Sequence, residues 1–232
     1  MDERTRYLAM LWLLASIGIA AMIGVMITAA GAVERVDNAL VFVTDVSSSM
    51  NQEELAIVRE SHALAITSPE VVSAIEAGAY QRSIFAYVEF ADRAEVIVGW
   101  TMVDGAESAA HFASAIMEPR GGLGSSTGIG NGLVLAEGLL RSLPYEALFK
   151  TVDVVGDGKN NHGIPPSAPR QVLLDMGVTI NGLPMEIKSA ESGLSDWYAE
   201  NIMGGPRAFL LPLHRIEDMP MMMRRKLIQE LF

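Results

Sequence analysis

The stretch Asp37–Val46, DNALVFVTDV, constrains this chain more than any other. Ala39–Val43 is an unbroken apolar, β-rich run with no polar alternation, typical of a strand buried on both faces. Such a strand needs a covering layer above its sheet and another below. The rest of the sequence supplies both. Glu53–Ile66 carries Leu55, Ile57, Val58, Leu64 and Ile66 at helical spacing, with Glu53 and Glu54 at the end the helix dipole favours. Val71–Ala77 reads as a short helix after Pro69. Ser83–Phe90 and Ala94–Thr101 are strands joined by Ala91-Asp92-Arg93, an antiparallel hairpin. Ser108–Met117 is helical and is followed by the glycine-rich stretch Gly121–Gly132. Leu133–Leu143 is a helix stopped by Pro144. Thr151–Val155 is a strand ending in Gly156-Asp157-Gly158, and a polar loop, Lys159–Pro166, follows it. Ala168–Met176 is a helix closed by Gly177, Val178–Leu183 a strand, Asp196–Met203 a helix, Ala208–Leu213 a last strand, and Met219–Leu231 a terminal amphipathic helix. The alternation predicts a three-layer α/β sandwich with a mostly parallel central sheet, the hairpin adding one antiparallel edge strand.

The N-terminus follows a different pattern. Tyr7–Val33 contains no charged residue, and at 1.5 Å per residue it is long enough to span a bilayer core of roughly 30 Å. Arg4 and Arg6 precede it, which favours an N-inside orientation. Ala30-Gly31-Ala32 has the small-x-small form of a signal-peptidase site. Residues 1–33 are therefore expected to be a signal peptide or an uncleaved transmembrane anchor, with residues 34–232 as the domain. Either way the domain is exported, periplasmic or secreted, and an uncleaved segment would hold it at the cytoplasmic membrane.

Of 232 residues, 17 are basic and 28 acidic, a net charge of −11. Asp2, Glu3, Arg4 and Arg6 cancel, so the domain carries the whole charge. That surface repels phosphate backbones and argues against a nucleic-acid partner. It suits cations or basic surfaces. The chain has no cysteine, which excludes disulfides, thiolate zinc sites and cysteine nucleophiles.

Open α/β sheets bind ligands at the carboxyl ends of their strands. Asp45 ends the first strand, in Asp45-Val46-Ser47-Ser48-Ser49, and Asp157 follows Thr151–Val155. Thr127 lies between them in sequence, in the glycine-rich loop that opens a helix. Two carboxylates and three hydroxyls form a hard-ligand set, which suits Mg²⁺, or Mn²⁺ and Ca²⁺ less well, and does not suit zinc or copper.

These elements resemble the D-x-S-x-S, T and D motifs of a metal-ion-dependent adhesion site in a von Willebrand factor type A domain, a Rossmann-like fold. The resemblance runs over roughly Val36–Phe232 in element order as well as motif. The stretches SPEVVSAIEAG, YVEF, VDVVGDGKNN and TINGLP further resemble an uncharacterised family of exported bacterial von Willebrand A-like proteins. The resemblance implies that Ser47, Ser49 and Thr127 contact Mg²⁺ directly or nearly so. Asp45 and Asp157 would hold metal-bound waters, and one coordination position would stay open for an acidic side chain of a protein partner. The implied protein is a non-catalytic binding module. The segment Gly156-Asp157-Gly158 departs from the Thr-Asp-Gly of many family members.

Other readings use the same residues. The motif can be a metal-free hydrogen-bond cluster in a structural domain. Gly124-Ser125-Ser126-Thr127-Gly128 also fits G-x-S-x-G, with Asp157 and His214 in the chain order of a serine hydrolase, although the residues before it read as a loop. His62, His111, His162 and His214 never pair at i, i+4. His162, Asn160 and Asn161 sit in the loop after Asp157, near the expected site; His162 is read as a rim residue or a solvated loop histidine, and the asparagines as lining the rim or forming turns. Glu89 is read either as a functional carboxylate or as a solvent-facing edge residue. Met219, Met221, Met222 and Met223 are read as a core-facing stripe beside solvated Arg224, Arg225 and Lys226, and Trp100 and Trp197 as half-buried anchors.

Overall fold

A computed structural model describes residues 33–118, 122–187 and 193–231. All but the last residue of the uncharged run Tyr7–Val33 lies outside the described residues, and so does the start of the glycine-rich stretch at Gly121. Among the described residues no helix is long and apolar enough to cross a membrane.

The described residues build a five-stranded sheet in the order β3-β2-β1-β4-β5. The strands are β1 (Arg35–Asp45), β2 (Ser83–Phe90), β3 (Ala94–Val103), β4 (Glu146–Gly156) and β5 (Thr179–Pro184). β1 is central and parallel to both neighbours, with Phe42 opposite Tyr87 on one side and Asp153 on the other. β3 is the antiparallel edge strand paired with β2. The helices are α1 (Gln52–Ile66), α2 (Pro69–Glu76), α3 (Ala106–Met117), α4 (Ile129–Arg141), α5 (Ser167–Asp175), α6 (Leu194–Asn201) and α7 (Met219–Leu231).

Every residue of β1 after Arg35 is buried, and the side chains separate by parity onto two cores. Leu40 and Phe42, with Phe85, Tyr87 and Val155, pack under α1, α2, α3 and α7. Ala39, Val41 and Val43, with Ala86, Val152 and Val154, pack under α4, α5 and α6. The sandwich expected from the all-apolar strand is what forms.

Three local expectations are corrected. Glu89 is neither at an edge nor in solvent. It is fully buried on β2, where Arg59 of α1 binds it through Nε at 2.7 Å and Nη2 at 3.1 Å. Lys226 is not solvated. It is wholly buried on α7 between Asp153 of β4 and Glu230, and Asn181 of β5 donates to Glu230 Oε1 at 2.8 Å. Burial pulls the Lys226 ammonium down, but the two carboxylates outweigh it and leave it raised. Burial, then repulsion from Asp153, pushes the Glu230 carboxyl up to about 7. Ala208–Leu213 is not a strand. It runs beside β5 through isolated bridges, Gly182 with Leu210 and, just past the strand, Met185 with Leu213. Leu211 N and Leu213 N donate to Gly182 O and Pro184 O at 3.0 and 2.9 Å, but Pro184 has no N–H to return a bond to the segment, and the Asn181 side chain takes the Phe209 N–H at 3.1 Å.

Met219 and Met223 face the core as expected, whereas Met221 is 56% exposed. Trp100 and Trp197 are half-buried. His62 is fully buried between the rings of Phe42 and Tyr87 at 5.4 and 5.2 Å, with Nδ1 2.8 Å from Val58 O. Burial lowers its pKa.

Candidate metal centre

The five sequence-predicted residues converge at the carboxyl ends of β1 and β4. Asp45 is the last residue of β1 and is fully buried. Its Oδ1 accepts the Ser47 N–H at 2.8 Å, which turns the chain so that Ser47 and Ser49 point into one pocket. Asn51 then starts α1. Its side chain accepts from Glu53 N and Glu54 N at 2.9 and 3.0 Å, and Glu54 Oε2 accepts from Asn51 N at 2.8 Å. This reciprocal cap fixes the loop from its far end.

The oxygens form a connected row. Ser47 Oγ lies 2.9 Å from Ser49 Oγ and 3.4 Å from Thr127 Oγ1. Ser49 Oγ donates to Asp157 Oδ1 at 2.6 Å. Asp45, Ser47, Thr127 and Asp157 are buried, while Ser49 opens to solvent. An octahedral ion with metal–oxygen distances of roughly 2.0–2.1 Å needs adjacent ligands about 2.9 Å apart. The Ser47–Ser49 separation matches that value, and Thr127 stands half an ångström or so wider. The donors are uncharged hydroxyls plus carboxylates. Among the described residues no group of three or more His, Cys, Asp or Glu side chains is placed to hold a metal.

Residues with no obvious chemistry hold this row in place. Asp92, in the β2–β3 turn, accepts Ser125 N at 3.1 Å and Ser126 N at 2.6 Å through Oδ1. The Ser126 N–H and hydroxyl hold the Asp92 carboxyl below its ordinary range. Asn161 Oδ1 accepts Thr127 N at 2.8 Å, and Asn160 Oδ1 accepts Gly130 N at 3.1 Å. Asn131 donates to Asp92 O at 3.0 Å and accepts Ile164 N at 3.1 Å. The loop after β4 is thereby stitched to the start of α4. Gly130 permits this approach, since a Cβ there would lie 1.8 Å from Ile164 O. Sequence reasoning left Asn160 and Asn161 open between rim and turn, and it treated Asp92 as a turn residue only. A carboxylate or amide that serves backbone groups thirty positions away leaves no spacing to read.

The hydrolase constellation lacks its framework. The residues described immediately before Ser126 are not a strand, so no nucleophile elbow forms. His214 is exposed and lies 3.7 Å from Glu186. Asp157 is engaged with Ser49. His162 is exposed at the rim.

Comparison with known proteins identifies the family and the fold. Residues 35–232 match the protein-family model described as "Protein of unknown function (DUF1194)". No curated protein matches the chain. Among solved structures, proximal thread matrix protein 1 from the mussel byssus, solved with a zinc-occupied MIDAS motif, is 23% identical with a TM-score of 0.60, covering 85% of this chain and 46% of its own. A von Willebrand factor type A protein from Catenulispora acidiphila is 16% identical with a TM-score of 0.61, covering 84% of this chain and 43% of its own. The vWF domain of the type V pili tip protein Mfa5 from Porphyromonas gingivalis is 12% identical with a TM-score of 0.58, covering 84% of this chain and 95% of its own. The chain thus spans less than half the length of the first two. At these identities the likeness establishes the von Willebrand A fold.

Proposed function

This chain belongs to the DUF1194 family and has a von Willebrand factor type A fold, and from that premise we propose that it is a non-catalytic module that binds a protein partner through a divalent cation. Ser47, Ser49 and Thr127 would hold the ion through their hydroxyl oxygens. Asp45 and Asp157 would act mainly through water. The observation that carries this reading is the row of oxygens brought from three separate segments to within 2.6 to 3.4 Å of one another. A cation held by few direct charges stays electrophilic, which is what the group supplies: an attachment point for an acidic side chain of the partner. The protein's own part is to orient the hydroxyls, through the Asp45 and Asn51 turns, and to keep Ser49 at the surface. The donor set favours Mg²⁺, with Mn²⁺ or Ca²⁺ as substitutes. We place the domain, residues 34–232, outside the cytoplasm behind a signal or anchor in residues 1–33.

The test is calorimetric titration of Mg²⁺ into the full chain in mild detergent, with Asp45→Ala alongside and Mn²⁺, Ca²⁺ and Zn²⁺ as further arms. Saturable one-site binding, lost in the variant, is expected. No heat and no melting shift with any ion would favour the competing reading, a structural von Willebrand A domain in which Ser47, Ser49 and Asp157 form only a hydrogen-bond chain. The observation behind that reading is the 2.6 Å Ser49–Asp157 bond, which is complete without an ion.

A further inference from the structure

β4 outruns its outer neighbour. β1 pairs with it from Glu146 onward, whereas β5 pairs with it only from Thr151. Among the described residues no other strand borders β4 on that side. Glu146–Lys150 is therefore a stretch of open sheet edge. An open edge presents backbone N–H and C=O groups that another chain can pair with, and proteins blunt such edges with charge, proline or a covering segment. This edge instead carries Leu148 and Phe149, 53% and 45% exposed.

A groove runs beside it. Its cavity, about 390 Å³, is lined by Leu148, Phe149 and Lys150 of the edge and by Gly177, Thr179 and Arg207 of the segments next to β5. That volume falls in the range of ligand pockets, roughly 300–1,000 Å³. Arg207 has a φ of 60°, the left-handed region that a side chain disfavours. In that conformation its guanidinium lies 5.0 Å over the Phe149 ring. The carboxylate of the groove, Glu230, is buried and bound to Lys226. Lys150 and Arg207 are then the charges that the groove shows to solvent. In a chain of net charge −11 this is a local reversal of sign.

We propose that the groove along Glu146–Lys150 is a second protein-binding site, which takes an extended, acidic segment of a partner by strand addition. The backbone of the segment would continue the sheet beside β4, in the lane that β5 enters only at Thr151. Its apolar side chains would cover Leu148 and Phe149, and its carboxylates would meet Lys150 and Arg207. The site does not depend on the metal centre. Leu148 and Gly156 are separated by about 26 Å along β4 at 3.3 Å per residue, and the metal centre lies at the Gly156 end.

The test uses the full chain in mild detergent and three fluorescein-labelled, end-capped heptapeptides. One alternates valine with glutamate, one alternates valine with lysine, and one is the glutamate peptide with a central proline. Fluorescence anisotropy is expected to show saturable binding of the glutamate peptide, unchanged by EDTA, with amide exchange slowed across Glu146–Lys150. Lys150→Glu and Arg207→Glu are each expected to weaken binding by about tenfold or more, because like charges then face each other, while the melting temperature stays near that of the parent. The proline peptide cannot complete the ladder and is expected not to bind. No saturable binding of the glutamate peptide, equal binding of the lysine or proline peptide, or full affinity in both charge variants overturns the proposal. Protection of Glu146–Lys150 that rises with protein concentration in the absence of peptide would make a second copy the occupant, and would overturn it too. Because the readout is independent of divalent ions, its failure is distinct from failure of the metal reading.

Discussion

Asp45 and Asp92 do the same work on two loops. Each is a carboxylate at the end of a strand or turn, and each collects backbone N–H groups, Ser47 for one and Ser125 with Ser126 for the other. The first presents Ser47 and Ser49, the second Thr127. Asp92→Ala is therefore expected to loosen the Thr127 loop and lower Mg²⁺ affinity by about tenfold, with Asp92→Asn retaining most of it. Titration of the two variants against the parent checks this, and equal affinity for all three would rule the role out. Because the folded Asp92 carboxyl is held below its ordinary value, its contribution is present above that value and is lost as pH falls through the folded one. The chemistry-bearing residues were legible because Asp, Ser and Thr at strand ends are a recognisable set. Asp92 and Asn131 were not, because their role is to hold something distant in sequence.

At the scale of elements, α7 is pinned by an internal charge cluster rather than by its apolar stripe alone. Lys226→Met would leave Asp153 and Glu230 buried without their cation, and is expected to cost about 3–5 kcal/mol. Urea denaturation measures it, and adding Asp153→Leu with Glu230→Leu should restore much of the loss. The cluster also gives stability a pH profile. Glu230 is raised to about 7 in the folded state, so the folded chain holds that proton more tightly than the unfolded one. Its contribution is fully present below the ordinary Glu value and is lost as pH rises through about 7. His62 is lowered by burial. Its contribution is present above the ordinary His value and is lost as pH falls below it. The two windows overlap, Glu230's running from the ordinary Glu value to about 7 and His62's lying below the ordinary His value, so Glu230→Gln is expected to remove the fall toward pH 7 and His62→Phe the opposing rise. An unchanged fall in the urea midpoint of Glu230→Gln would discard the assignment. Sequence reasoning placed α7 and the buried Met219 and Met223, but it read Met221 as core-facing and Lys226 as solvated. A lysine four positions before a glutamate resembles an exposed helix pair, and only Asp153, on the same sheet face as Val155, turns it inward. Asp153 interrupts the apolar run Val152–Val155, and that was the available clue.

For the molecule as a whole, a bound ion acts by mass action. If the centre binds Mg²⁺, a concentration a hundred times the dissociation constant stabilises the folded chain by about 2.7 kcal/mol. The shift should appear in thermal melts of the parent and be absent in Asp45→Ala, and equal shifts in both would place the ion elsewhere. The architecture was readable from the sequence because β1 is apolar on both faces and the alternation of elements leaves few topologies. The irregular segment after β5 was not, since Ala208–Leu213 has a strand's composition and the missing N–H belongs to Pro184 on the facing strand. The strand order also sets a timetable. β1 is flanked by β2, which follows soon after it, and by β4, whose Val152 lies opposite Val41. During synthesis at about 5–20 residues per second, the first strand waits roughly 5–20 s for its second neighbour. Throughout that interval its β4-side edge has no native partner, so the sheet cannot close until β4 has been made. A nascent chain of this kind stays threadable long after its first strand has been made.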